Sequence, residues 1–317
     1  MAITSFKRVW RGLLVLFLVT VAAVGLLGLA PGSAAEVILG ENGTPEAIAE
    51  LNAELGLDQP LWRQYVEWLW AALRGDLGVS PLTGQDVTGA IVDRLPVTLE
   101  LAALGLLIAL MVAVVLAVIA AATQDSWIDR AISGVSSGFL AIPAFIAGPV
   151  LIYFFALQLG WLPVSGWARP SDGIGENLEY AILPAVAIAF VEIATFQRLL
   201  RTDLVGTLRE DYVAAARAKG MSSTYVLFRH ALRPSSFSLI TMAGISLGRL
   251  IGGTVVVEII FGLPGLGQLV SSSITLRDVV TVQGVVVFIA LVYVLINMLV
   301  DFSYGFLDPR VRKAARA

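Results

Sequence analysis

Six stretches of the chain are apolar and long enough to cross a bilayer, and polar segments of unlike character separate them. A span needs about 20 mainly apolar residues, and outside barrels only a helix satisfies its backbone groups without water. The stretches run approximately from Gly12 to Ala30, Val97 to Ala122, Ala131 to Leu157, Tyr180 to Phe196, Ser236 to Val257 and Val282 to Ser303. The fourth is the least apolar, because Glu192 interrupts it. Lysine and arginine placement sets the orientation. An internal N-terminus groups Lys7, Arg8, Arg11, Arg130, Arg198, Arg201, Arg209, Arg217, Lys219, Arg229, Arg233, Arg310, Arg312, Lys313 and Arg316 on the cytoplasmic side, and leaves Arg63, Arg74, Arg94, Arg169 and Arg277 outside. Both termini are then cytoplasmic. The basic start, the first apolar run and Ser33-Ala34-Ala35 also fit a cleaved secretory signal, but that run is about 18 residues against the usual 7 to 15. Cleavage would leave the other five spans in the same orientation.

The pattern divides the chain into an N-terminal transmembrane helix over residues 1–30, an external helical segment over 31–96, a five-helix core over 97–303 and a cytoplasmic tail over 304–317. The external segment is acidic yet carries helix signals. Thr44 can cap a helix that has Pro45 at its first position, with Gly56 placed to end it. A second helix starts near Pro60, with Trp62, Tyr65, Val66, Leu69, Trp70 and Leu73 at helical spacing and Arg63, Gln64 and Glu67 on the other side. Tryptophan and tyrosine favour the membrane interface. Two readings stand for this helix: packing over the spans or the outer leaflet, and a docking surface for an external partner.

The longest cytoplasmic stretch, Gln197 to Arg233, is too polar to cross. Glu210 and Asp211 stand at the start of a short helix, and Arg217 and Lys219 at its end, which complements the macrodipole. Ala214, Ala215, Ala216 and Ala218 favour helix and leave a low surface that another protein can approach. Gly220 supplies a left-handed stop, and Ser222 or Ser223 can cap a second short helix containing Tyr225, Val226 and Phe228. A plain connector between spans is the competing reading.

Composition narrows the chemistry. Hydrophobic residues are 57% of 317 positions and charged residues 14%, against roughly 45 to 50% and 25% in soluble domains. A net charge of -3 gives no sign of nucleic acid as a partner. There is no cysteine, and His230 is the single histidine, so neither a thiolate site nor a histidine-built metal site or proton relay can be assembled from this chain. The spans hold few acids, which leaves an intramembrane enzyme without a nucleophile and base. No catalytic residue and no cofactor are expected here.

Several strings, taken together and in order, resemble the permease subunits of ABC importers, in the form of the oligopeptide and dipeptide subfamily. Asp211-Tyr212-Val213-Ala214-Ala215-Ala216-Arg217-Ala218-Lys219-Gly220, with His230-Ala231-Leu232-Arg233, is similar to that family's EAA loop. Asp93-Arg94-Leu95-Pro96-Val97-Thr98-Leu99-Glu100-Leu101 resembles its entry to the second span, and Val255 to Gly267 its stretch after the fifth. Leu307-Asp308-Pro309-Arg310-Val311-Arg312 resembles its ending, and Leu55 to Leu61 its external segment. There are departures: Ala214 stands where the general loop has glutamate, Pro234 where asparagine is common, and Glu192 and Arg249 where neutral or small residues are expected.

The resemblance implies an all-α membrane protein with a type I importer core, seated in a bacterial cytoplasmic membrane among lipid. It implies pairing with a second homologous permease above two ATPase subunits, with an external substrate-binding protein delivering cargo. The segment Glu210 to Gly220 would be the coupling helix, with Glu210, Asp211, Tyr212, Ala214, Ala215, Ala216, Arg217, Lys219 and Gly220 at the ATPase. ATP and Mg would be bound by those partners, because the chain has no Gly-x-x-x-x-Gly-Lys-Ser/Thr loop; Phe261 to Gly267 lacks the lysine. Peptides lead as cargo, with glutathione, nickel or haem-like cargo as alternatives and a channel as the reading without an ATPase.

Phe261, Pro264, Gly265 and Gly267 form a turn or a re-entrant piece after the fifth span, and the resemblance puts them near an external gate. Arg249 lies inside the fifth span, where an arginine costs at least about 2.5 kcal/mol and so should face protein or water. Met242, Ser246, Arg249, Gly252 and Gly253 share a helical face as a candidate translocation path. Arg249 either meets an anionic cargo group or pairs with Glu192, Glu100 or a residue of the partner permease.

Overall fold

Long apolar runs leave the backbone no partner but itself, and helices dominate accordingly. The computed structural model describes residues 2–28, 34–40, 43–54, 56 and 58–307. Ser33, Leu55, Leu57 and the ending from Asp308 onward, which carry parts of the strings above, lie outside the described residues. The helices are α1 (Ala2–Gly28), α2 (Ala34–Leu39), α3 (Pro45–Glu54), α4 (Leu61–Ala72), α5 (Val87–Ala122), α6 (Trp127–Ala141), α7 (Ala144–Leu151), α8 (Ile174–Thr207), α9 (Asp211–Ala218), α10 (Ser223–Tyr225), α11 (Arg233–Gly253), α12 (Val255–Phe261), α13 (Leu266–Thr275) and α14 (Val279–Leu307). Wider π-helical turns, Ile152–Gln158 and Val226–Leu232, extend α7 and precede α11. Among the described residues the β-type pairing is a single isolated bridge, Val79 with Asp86.

The spans differ in detail from the expectation. Val87–Ala122, Ile174–Thr207, Ser223–Gly253 and Val279–Val300 are each long and apolar enough to cross. The third apolar stretch is not one rod: Trp127–Ala141 and Ala144–Gln158 meet at 101°. The cause is Pro143, which cannot continue α6 and pushes Ile142 to φ -100 and ψ 103. Pro96, by contrast, sits inside α5, which starts ten residues before the expected span entry. The fifth span ends at Gly253 instead of Val257, and Val255 to Val257 belong to α12.

The chain divides into two units. In the first, Met1–Leu99 with Leu263–Met298, the core joins Val87, Ala90 and Ile91 of α5 to Leu266 and Leu269 of α13 and Val285 of α14. Thr98 Oγ1 accepts the Leu266 N–H at 2.9 Å. Asp278 is buried and accepts hydroxyl bonds from Ser80 (2.6 Å) and Thr281 (2.7 Å). α3 is capped as its sequence predicts, with the Ala47 N–H on Thr44 Oγ1 at 3.2 Å. α4 leans on α1 through the Tyr65 and Thr20 hydroxyls, 2.8 Å apart. Its Trp62, Val66, Trp70 and Leu73 face away from the chain, and Arg74 lies over the Trp70 ring at 4.7 Å.

The second unit, Glu100–Gly262 with Leu299–Ala317, has a core of small residues. Ala109, Ala113, Ala117 and Ala121, one per turn of α5, gather with Ala189, Ile193, Phe196, Leu200 and Leu204 of α8. Small side chains let membrane helices approach closely and gain dispersion contacts. Phe139 of α6 stacks on Phe190 of α8 with centroids 4.9 Å apart, and α8 also packs against α11.

Candidate functional site

Three residues after α8 ends, the chain turns into α9, and the sequence explains its shape. Glu210 is extended at the helix start, Asp211 lies in the first turn and Arg217 in the last. Gly220 adopts φ +82, the left-handed stop, and its N–H bonds the Arg217 carbonyl at 2.9 Å. Ser222 Oγ then accepts the Tyr225 N–H at 3.3 Å and starts α10. Val213 and Ala216 turn inward and form a small core with Val226, against which Leu208 packs. Asp211, Tyr212, Ala214, Ala215, Arg217, Lys219 and Gly220 are left exposed. Ala216, read with its neighbours as part of that surface, is 6% exposed and supports the helix from beneath.

The arms of this helix are tied. The Tyr212 hydroxyl donates to the His230 carbonyl at 3.2 Å, and the Thr207 and Ser235 hydroxyls are 3.0 Å apart. Beside α9, Met221, Tyr225 and Phe228 present apolar surface that extends the exposed Tyr212 ring. The sequence reading missed this patch, although an aromatic pair in a segment too polar to cross was its signal.

Also missed was Asp129. Arg201 grips it with two parallel bonds, Nε to Oδ1 and Nη2 to Oδ2, each 2.6 Å. Asp129 also accepts the Asp125 N–H at 3.0 Å, while Ser126 Oγ accepts the Asp129 N–H. The turn from α5 to α6 is thereby fixed to the part of α8 that leads into α9.

Higher on α8 and α11 lies the second constellation. Glu192, 3% exposed, has both oxygens engaged: Oε1 by Arg249 Nη2 at 2.7 Å and Oε2 by the Ser246 hydroxyl at 2.8 Å. Arg249 Nη2 also donates to Ser246 Oγ at 3.1 Å. The pairing with Glu192, one of the alternatives weighed for Arg249, is present. The arginine is nonetheless 55% open on its other side. Ile245, Gly252 and Gly253 are exposed on the same face of α11, Met242 is half-buried, and Ser246 is fully buried.

The Phe261 to Gly267 stretch is a short break between two helices. In the second unit Phe261 is buried, and its ring would lie 3.2 Å from a Cβ added at Gly148; Gly262 ends α12 at φ +64. In the first unit Pro264 is exposed, while Gly265 and Gly267 are buried at the start of α13.

Comparison with known proteins decides the family. Residues 113–313 match the model of the binding-protein-dependent transport system inner membrane component, and residues 1–102 match its N-terminal companion. The chain belongs to this family of ABC-importer permeases. It is 38% identical to a probable peptide ABC transporter permease protein of Sinorhizobium fredii, over 98% of this chain and 100% of that one. It is 31% identical to a dipeptide transport system permease protein of Alkalihalophilus pseudofirmus, covering 97% and 98%. A glutathione transport system permease protein of Escherichia coli is 34% identical, covering 96% and 97%. In fold the permease is similar to a chain of an amino acid ABC transporter solved with histidines, with a TM-score of 0.51 and 17% identity, over 70% of this chain and 94% of that one.

Proposed function

We propose that this permease carries oligopeptides or dipeptides inward, forming the path with a second homologous permease while two ATPase subunits drive it. The observation that carries this reading is α9: a short helix held from beneath by Val213 and Ala216, with a small-residue surface and Tyr212 turned outward. Such a helix fits a cleft on a partner. Closure of an ATPase pair on ATP and Mg would then move α8 and α11, the arms on either side, as packed rods. The orientation that puts α9 in the cytoplasm puts both termini there as well, and puts α4 outside, where a binding protein delivers cargo. The named relatives support peptide cargo, with glutathione as the second candidate.

The test is ATP hydrolysis by the chain purified with its co-encoded partners, with and without the external binding protein loaded with short peptides. Stimulation by peptides is expected. Stimulation by glutathione alone would keep the architecture and change the cargo, and a complex with no ATPase would return the chain to the channel reading.

A further inference from the structure

Arg249 is both paired and open. Its pairing partner is buried at the back, where one Glu192 oxygen accepts from Arg249 and the other from Ser246. Its front projects from a helical face on which the residues three and four positions on, Gly252 and Gly253, have no side chains. Nη2 is engaged by Glu192 and Ser246, whereas Nε and Nη1 make no hydrogen bond among the described residues.

We propose that Arg249 reads the free C-terminal carboxylate of the cargo in passage, and that Glu192 weakens this contact to a strength from which cargo can leave. The proposal rests on the peptide reading above and on the α11 face lining the path. With Nη2 occupied, Nε and Nη1 can each offer a carboxylate a single charge-assisted hydrogen bond. Every unmodified peptide carries one such group whatever its sequence, so a single arginine suits cargo of mixed composition. A bare arginine in low dielectric would hold an anion strongly. With Glu192 behind it the pair is formally neutral, and an arriving carboxylate meets only the positive end of a dipole. Conduction needs that balance, because a site must be good enough to enter and weak enough to leave. Glu192 is thus a positioning residue that also sets the charge of the site.

The complete transporter in proteoliposomes tests this, using one tripeptide with a free C-terminus and the same tripeptide amidated. Each peptide is compared across variants, since the partner that delivers it is unchanged. E192Q keeps one acceptor oxygen for Arg249, replaces the oxygen that accepts from Ser246 by an amide NH2 that can donate to the Ser246 hydroxyl instead, and removes the counter-charge. It should lower both KM and Vmax about fivefold for the free acid, the size of an exposed ion pair, and leave the amide as in the wild type. The double variant E192Q/R249M removes the pair together and should abolish the difference between the peptides. If E192Q shifts both peptides alike, the pair is only a clip between α8 and α11, and the proposal fails. Should the double variant not assemble, the KM and Vmax pattern of E192Q alone still supports or overturns the idea. Wild-type vesicles that hydrolyse ATP yet take up neither peptide overturn the cargo reading and this proposal with it.

Discussion

Arg201 holds both carboxylate oxygens of Asp129 at 2.6 Å, across 72 positions of sequence. Asp129 is almost wholly buried, so neither group can be removed without stranding the other. Asp129→Asn should lower the stability of the detergent-purified permease by about 3 kcal/mol, the scale for breaking a buried pair. Thermal unfolding followed by scattering or an intrinsic probe reads this. An unchanged midpoint would show that the α5 to α6 turn does not depend on the pair.

Neighbouring alanines on α9 should behave oppositely. Ala215 is exposed, so Ala215→Trp should leave folding intact and block co-purification of the ATPase. Ala216 is inside the small core with Val213 and Val226. Ala216→Trp should instead destabilise the segment by about 1 to 3 kcal/mol through overpacking. Protease sensitivity between α8 and α11 separates the outcomes, and equal behaviour of both variants would contradict the orientation of α9.

Gly220 has open space where a Cβ would go, so crowding is not the obstacle to substitution there; φ +82 is. Gly220→Ala should cost about 1 kcal/mol of local backbone energy. Stimulated ATP hydrolysis should fall, while membrane insertion and the stability of the spans stay as they were. Full coupling in this variant would mean that the stop after α9 can be made another way.

At Gly148 the obstacle is contact, because an added Cβ would sit 3.2 Å from the Phe261 ring and 3.4 Å from Ile260. Gly148→Leu should destabilise by roughly 1 to 3 kcal/mol. Loss of α12 packing, seen as faster proteolysis near Gly262, is the expected readout.

Much of the local structure was legible because its causes are local. Thr44 before Pro45, Gly220 after Lys219 and Ser222 before α10 act within one turn of their own position. The short helix read between Glu210 and Gly220 is present as α9 for the same reason. Pairs distant in sequence were not legible: nothing in the spacing of Asp129 and Arg201 marks them as partners, and Arg249 had several candidate acids before α8 and α11 were seen packed. Proline was ambiguous. Pro96 is accommodated within α5, while Pro143 bends the third stretch by 101°, and that difference lies in how the flanking helices pack. The inward turn of Ala216 could not be read from the alanines alone, because a run of small residues has no apolar contrast to tell its inner side from its outer one.

The wide turns at Val226–Leu232 act as a phase setting between α9 and the helix that carries Arg249. Each residue of an α-helix advances the face by about 100°, and a π-type turn takes in more residues than an α-type one. Deleting a single residue there, with α9 held at its site, would rotate Arg249 by about that angle and carry it off the side where Glu192 waits. The aim of an intramembrane charge is therefore tuned from well below it, by the pitch of a segment that never touches it.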